Sequence, residues 1–341
     1  PTMAGGIGIA TDVRMLAHDA GPGHPERPER LRAVLDHLEA VPALHRLASR
    51  LATEDEIATV HDPRVIEFLA ATAHHPRTVI DADTTTCAAS WEAARLAAGC
   101  LLTTCDAVLA GQVEAGFALV RPPGHHAEFG RPMGFCLVNN VAIAAAWLRQ
   151  RGIERVAIVD WDLHHGNGTQ HLFEDDPSVL YVSTHQYPFY PGTGAVTEVG
   201  TGPGTGRTLN LPFPAGFGDA EFCRAFDEVA IPVLRQFAPG FVLISAGFDS
   251  DPRDPLGGLA VTPNAIAYAT RRLHEVAAET AQGRLVAVLE GGYDLDAIVE
   301  GVDAVLGVLQ GQRAPKVAGD GRPADRLLAA VRAAQAPYWR L

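Results

Sequence analysis

Six short runs in this chain are apolar through their centres instead of alternating: GIGIA (6–10), GFALV (116–120), RVAIV (155–159), VLYVSTH (179–185), FVLISAG (241–247) and LVAVLEGG (285–292). A strand with two apolar faces has to be covered on both, and a parallel sheet sandwiched between helices does this. Ala/Leu/Arg-rich stretches of helical length fill the gaps at 88–110, 139–151, 219–237 and 263–281. The alternation predicts a doubly wound, mostly parallel α/β layer structure. At 341 residues and 47% apolar content, the chain can bury one large core or two ordinary ones. No Ser/Gly-rich linker, charge block or internal repeat divides it. One domain over 1–341 is expected, with a C-terminal tail segment over about 311–341, around GQRAPKVAGDGRP.

Charge narrows the partners. Lys and Arg number 27 against 40 Asp and Glu, a formal net charge of -13. That balance argues against nucleic acid as a partner and suits a cationic substrate. The five cysteines, Cys87, Cys100, Cys105, Cys136 and Cys223, are odd in number and form no CxxC pair. A disulfide framework and a cysteine-based zinc site are therefore not expected, and a reducing cytoplasm fits. The opening PTMAGGIGIATDV lacks a basic segment followed by an apolar one, and no apolar run is long enough to span a bilayer. A soluble protein without a membrane partner is expected, with Pro1 and Thr2 read as residues left by processing. Oligomeric state has no signature here.

Five of the apolar runs end in unusual loops. GFALV leads to RPPGHHA, RVAIV to DWDLHHGNGT, LYVST to HQYPFYPGTG, FVLISAG to FDSDP, and LVAVLE to GGYDL. Gly and Pro punctuate any turn, so one such loop means little. Five tipped with Asp, His or Tyr, on the edge where open α/β sheets collect ligands, predict a site.

Spacing selects ligands within it. On an extended chain residues i and i+2 share a face about 6.6 Å apart, whereas i and i+4 stand roughly 13 Å apart. Asp162 and His164 can converge on one ion, and Asp160 with His164 cannot. One carboxylate must serve another purpose. Asp249, directly after FVLISAGF, is the third ligand expected. Two carboxylates and a neutral imidazole balance a divalent charge and leave a position open, the pattern of a catalytic zinc site.

RPPGHHA (121–127), MGFCLVNN (133–140), DWDLHHGNGTQ (160–170), HQYPFYPGTG (185–194), AGFDSDPRDPLGG (246–258) and EGGYDL (290–295) occur in that order. Together they resemble the zinc-dependent histone deacetylase superfamily, particularly its class II and bacterial amidohydrolase members. The similarity runs from HPERPERL (24–31) to about residue 310. The resemblance implies a single-domain arginase-deacetylase fold, an eight-stranded parallel sheet with helices on both faces. It implies one Zn2+ on Asp162, His164 and Asp249, His126 as general base and then general acid, and His125 beside it paired with Asp160. It also implies Asn167 as the group orienting His126, where class I members carry aspartate, and Tyr293 as the phenol that stabilises the oxyanion. His165 is left without a role and is expected to point into packing. A structural K+ or Na+ is implied at Asp160, Asp162, His164, Ser183 and Thr184.

For substrate, the resemblance makes Gly134, Phe135 and Tyr190 the walls of a narrow tunnel for the acetyl-lysine stem, and likens His24 and Arg30 to the first loop and an acetate-release channel. Polyamine-deacetylating relatives with a gatekeeper carry glutamate where Leu256 stands. An acetylated lysine is therefore expected first and a small acetylated amine such as an acetylpolyamine second. A binuclear manganese ureohydrolase would need a carboxylate where Gly166 stands, and a non-catalytic acyl-lysine binder should have lost a ligand, the histidines or the tyrosine. No G-x-S-x-G elbow supports a serine hydrolase.

Overall fold

A computed structural model describes residues 6–341, so the reading of Pro1 and Thr2 lies outside the described residues. Its strands are β1 (Ile7–Ala10), β2 (Leu44–Arg46), β3 (Arg77–Val79), β4 (Thr85–Cys87), β5 (Ala115–Ala118), β6 (Val156–Asp160), β7 (Val179–Gln186), β8 (Thr208–Phe213), β9 (Phe241–Ala246) and β10 (Leu285–Leu289). Eight of them form one parallel sheet in the order β2-β1-β5-β10-β9-β6-β7-β8. β3 and β4 pair separately as an antiparallel hairpin.

The six apolar runs become β1, β5, β6, β7, β9 and β10, all fully buried. The other two sheet strands lie at its edges. β2 is only three residues of intermediate or exposed character, and β8 carries Pro212. Edge strands can be short, polar or proline-bearing because one side of the ladder is unpaired, so they lack the two-sided apolar signature.

Helices cover both faces. Ser90–Leu109 packs on β1, β5 and β10 and against Asn140–Gln150, which lies on β6 and β9. Glu29–Leu38, Pro263–Thr280 and Leu295–Leu309 form a second packed group. Helix starts settle loop lengths at the strand ends. Asn139 caps one by accepting from the Ala142 N–H, and Asp294, next to Tyr293, caps another by accepting from the Ala297 N–H. Beyond the second group, helix Asp325–Gln335 covers the β8 edge: Gln335 Nε2 donates to Thr208 O at 2.9 Å, and Trp339 Nε1 to Gly206 O at 3.0 Å.

One buried ion cluster ties the N-terminal loops to this frame. Glu26 accepts from Arg30 Nη1 at 2.8 Å and from Arg121 Nη2 at 2.7 Å. Arg30 also donates to the backbone carbonyls of Glu290 and Gly292, each at 2.5 Å, and Arg121 to those of Met15 and His18 at 2.8 and 2.6 Å. Burial alone would raise the Glu26 carboxyl, but Arg121, His18 and Arg30 outweigh it and hold it well below its ordinary value of 4.5. A carboxyl depressed in the folded state contributes stability that is complete above that ordinary value and is lost as pH falls through the folded one. Glu26→Gln leaves two guanidinium groups buried without a counter-charge and should cost about 3–5 kcal/mol. Denaturant unfolding at pH 7 measures this; the gap to wild type should narrow only below pH 4.5, and equal stabilities at pH 7 would refute it.

Candidate active site

In a parallel sheet all carboxyl ends open on one edge. β5, β10, β9, β6 and β7 are consecutive neighbours in it, and they are the five strands whose loops carry the polar motifs. The loops therefore meet over the centre of the sheet.

β6 stops at Asp160, so Asp162 and His164 do not share a strand face as the spacing suggested. Two successive side-chain turns bring them together instead. Asp160 Oδ1 accepts the Asp162 N–H at 3.1 Å, and Asp162 Oδ1 accepts the His164 N–H at 2.9 Å. From the end of β9, Asp249 reaches the same point. Donor atoms of Asp162, His164 and Asp249 lie within 4.8 Å of one another, and all three residues are buried. His164 Nδ1 is 2.9 Å from Asp249 Oδ2 and 3.4 Å from Asp162 Oδ1.

The carboxylates are braced by backbone. Leu163 N–H donates to Asp249 Oδ1 and Gly291 N–H to Asp162 Oδ2, both at 2.8 Å. A Cβ at Gly247 would stand 2.1 Å from Asp162 Oδ2, so that approach requires glycine. Among the described residues no Lys or Arg pairs with Asp162 or Asp249. Burial alone would lower His164, but the hydrogen bonds and charges of Asp162 and Asp249 lift it to about 10. Burial, then the Asp162 charge, pushes Asp249 up to about 7. Such a cluster attracts a cation, and two carboxylates with one imidazole suit a divalent transition ion.

The tandem histidines occupy different settings. His125 Nδ1 lies 2.9 Å from Asp160 Oδ2, which also accepts from Tyr181 OH at 2.9 Å. Burial opposes the His125 charge, yet Asp160 and Asp162 lift its pKa well above the ordinary imidazole value. His126 Nδ1 lies 2.7 Å from Asn167 Oδ1. An amide oxygen only accepts, so Nδ1 carries the hydrogen and Nε2 keeps its lone pair. Burial, then the neighbouring His125 and His164, hold His126 well below the ordinary value. Asn167 Nδ2 donates in turn to Glu128 Oε1 at 2.5 Å, and Glu128 pairs with His171 at 2.9 Å.

Tyr293 lies with its ring 5.8 Å from that of Phe135 and 4.9 Å from the Arg30 guanidinium. Burial pushes the phenol well above 10, which keeps it a neutral donor. Beneath the histidines, Glu290 accepts from Gly124 N–H at 2.7 Å, His125 N–H at 3.1 Å and Ser245 Oγ at 2.9 Å.

A cavity of about 220 Å³ opens over this group, lined by His126, Gly134, Phe135, His164, Tyr190, Leu256 and Tyr293, together with Asp83 and Phe189. Neither of the last two was singled out from sequence. Phe189 stacks on His164 at 5.6 Å, beside Tyr190, whose ring stands edge-on to His126 at 5.3 Å. The doublet Phe189-Tyr190 was a usable signal. Asp83 had none, since it arrives on the tip of the β3–β4 hairpin. That tip is held by the Phe135 N–H donating to Thr84 Oγ1 at 3.1 Å and by His24 Nε2 donating to Asp83 O at 2.9 Å.

His165 is buried and packs against Tyr181 and His185, as expected, and in addition both of its ring nitrogens are bonded, Nδ1 to Thr193 Oγ1 at 2.7 Å and Nε2 to Gln170 Oε1 at 2.9 Å. Ser183 pairs in register with Asp160 across β6 and β7, and Thr184 follows it.

Comparison with known proteins bears on this geometry. The histone deacetylase domain pattern matches residues 24–309. A "Probable deacetylase" of Archaeoglobus fulgidus is 43% identical over 294 residues, covering 85% of this chain and 82% of that protein. "Polyamine deacetylase HDAC10" of Homo sapiens is 43% identical over 335 residues, covering 92% of this chain and 49% of its own length. The crystal structure of the HDA15 HD domain superposes with a TM-score of 0.91 at 39% identity, covering 98% of this chain and 95% of that one. The chain thus spans about half the length of the human protein. With the domain match over most of its length, and with that identity and shared architecture, the chain belongs to the histone deacetylase family.

Proposed function

We propose that this chain is a zinc-dependent deacetylase that hydrolyses the N-acetyl amide of lysine side chains to acetate and a free amine. The observation that carries the reading is the aromatic-walled cavity with His126, His164 and Tyr293 on its lining, beside the three-ligand cluster. Asp162, His164 and Asp249 would hold the metal, which when bound polarises a carbonyl and lowers the pKa of water toward ~7.

The remaining work falls to the chain's own groups. His126, neutral and with Nε2 free, takes the proton of the attacking water and returns it to the departing amine. Asn167 keeps that tautomer in place. Tyr293 donates to the amide oxygen as it becomes an oxyanion. His125, held positive by Asp160, adds a favourable charge beside the developing anion. Phe135, Phe189 and Tyr190 wall off the aliphatic stem and exclude water. A structural K+ or Na+ at Asp160, Asp162, His164, Ser183 and Thr184 belongs to the same reading, supported by the Asp160–Ser183 register. We assign the whole chain to one deacetylase domain with 311–341 as its tail. A cytoplasmic setting suits the five free cysteines, and no helix among the described residues is long and apolar enough to cross a membrane.

A second reading, acetylpolyamine hydrolysis, is favoured by Asp83 on the cavity wall and by the -13 charge; the human relative is named a polyamine deacetylase. Leu256 on the same wall offers a distant ammonium no partner, which places acetyl-lysine first. Comparing kcat/KM for an acetyl-lysine peptide and N-acetylputrescine should favour the peptide; the opposite ranking reverses the order.

Tyr293→Phe should retain zinc yet lose about 10²–10³-fold in kcat. Unchanged turnover in a steady-state assay would remove the phenol from the mechanism. Gly247→Ala drives a methyl into Asp162 Oδ2, and elemental analysis should find it depleted of zinc at normal secondary structure. Full metal occupancy in that variant would show that the carboxylate is free to move.

A further inference from the structure

His165, buried next to the ligand His164, has no place in the reaction. Its partners are specific. Glu198 accepts from the Gly194 and Ala195 N–H groups at 3.0 Å each and from Gln170 Nε2 at 2.6 Å. A carboxylate only accepts, so it settles which end of the Gln170 amide faces it. Gln170 Oε1 then points the other way, accepting from Asn210 Nδ2 at 2.8 Å and from His165 Nε2 at 2.9 Å. With Nε2 carrying the hydrogen, the neutral His165 ring has only a lone pair at Nδ1, and the Thr193 hydroxyl donates to it at 2.7 Å.

The same turn is pinned from β7. His185 Nε2 donates to the Gly194 carbonyl at 2.8 Å. Gly194 has φ of +92°, and a Cβ there would stand 2.3 Å from His185 Nε2 and 2.7 Å from the His165 ring. The loop from Gln186 to Gly194 is thus fastened at both ends, and between them it carries Phe189 and Tyr190, two walls of the cavity. Gln170 belongs to helix Asn167–Phe173, whose first residue orients His126. One polar chain, buried at His165, Gln170 and Asn210 and half-buried at Thr193 and Glu198, therefore joins the aromatic wall, the ligand-bearing turn and the helix behind His126.

We propose that His165, through Thr193, Gln170 and Glu198, is the positioning residue for the Phe189–Tyr190 wall, holding it in place to bind the aliphatic stem of the substrate. The inference rests on the deacetylase reading for its substrate. A wall ordered before binding spares the complex the entropy of ordering it, so loosening it weakens substrate affinity and leaves the chemical step alone.

Thr193 offers the cleanest cut, because Thr193→Val keeps shape and removes the hydroxyl, whereas Thr193→Ser keeps the hydroxyl. For an acetyl-lysine peptide, Thr193→Val should raise KM about 5-fold, the worth of one hydrogen bond, with kcat and zinc content unchanged. Thr193→Ser should match wild type. Hydrogen exchange over residues 187–198 should quicken in Thr193→Val and not in Thr193→Ser. Unmoved exchange would overturn the anchor, and faster exchange with an unmoved KM would overturn its link to the substrate. A fall in kcat or zinc would mean that the network serves the metal, which also overturns the proposal. A wild-type protein inactive on acetyl-lysine would defeat the deacetylase reading alone, since the exchange arm still decides the anchor.

Discussion

Burial of both faces of a parallel sheet governs this molecule. Strands β5, β10, β9, β6 and β7 are apolar on either side and covered by helices. Their faces offer no place for ionisable groups in contact with substrate. The carboxyl edge is open, where the loops enter helices, and a parallel sheet brings all of its carboxyl ends to that edge. The polar residues of five separate motifs meet there because each motif follows one of five neighbouring parallel strands.

Meeting there has an electrostatic cost. Asp160, Asp162, Asp249, Glu290 and Glu26 are all buried. Each is met in a different way: Asp160 by His125 and Tyr181, Glu290 by backbone amides and Ser245, and Glu26 by Arg30 and Arg121. Asp162 and Asp249 share His164 and backbone amides, with His125 Nε2, already bonded through its other nitrogen to Asp160, 3.7 Å from Asp162. Buried charge without a fixed counter-ion is costly unless a cation binds. The pair left incompletely compensated is the pair that, with His164, could hold a metal ion.

Legibility followed the range of the interactions. Central strands showed in sequence because two-sided burial writes an unbroken apolar run, whereas edge strands β2 and β8 did not, because neither polarity nor Pro212 is penalised there. Asp162 and His164 could be paired from spacing and Asp249 from its place just after β9, although the geometry that joins the first two is a pair of side-chain turns and not a continued strand. Phe189 could have been found beside Tyr190. Asp83 could not, because its hairpin pairs with no strand of the main sheet and reaches the cavity through contacts with Phe135 and His24.

By itself the sequence determined the layered α/β class, the edge on which the site lies, and the residue types available to bind a cation and move a proton, since periodicity and local spacing are properties of the chain alone. Tertiary structure decided which carboxylate keeps a dedicated partner, which tautomer His126 holds, and that His165 braces a distant loop. Those outcomes depend on donors and acceptors brought together from separate strands: Asn167 meets His126 from 41 positions away, and Thr193 meets His165 from 28. Only the closed fold specifies such pairings, because a hydrogen bond depends on distance and direction and not on order along the chain.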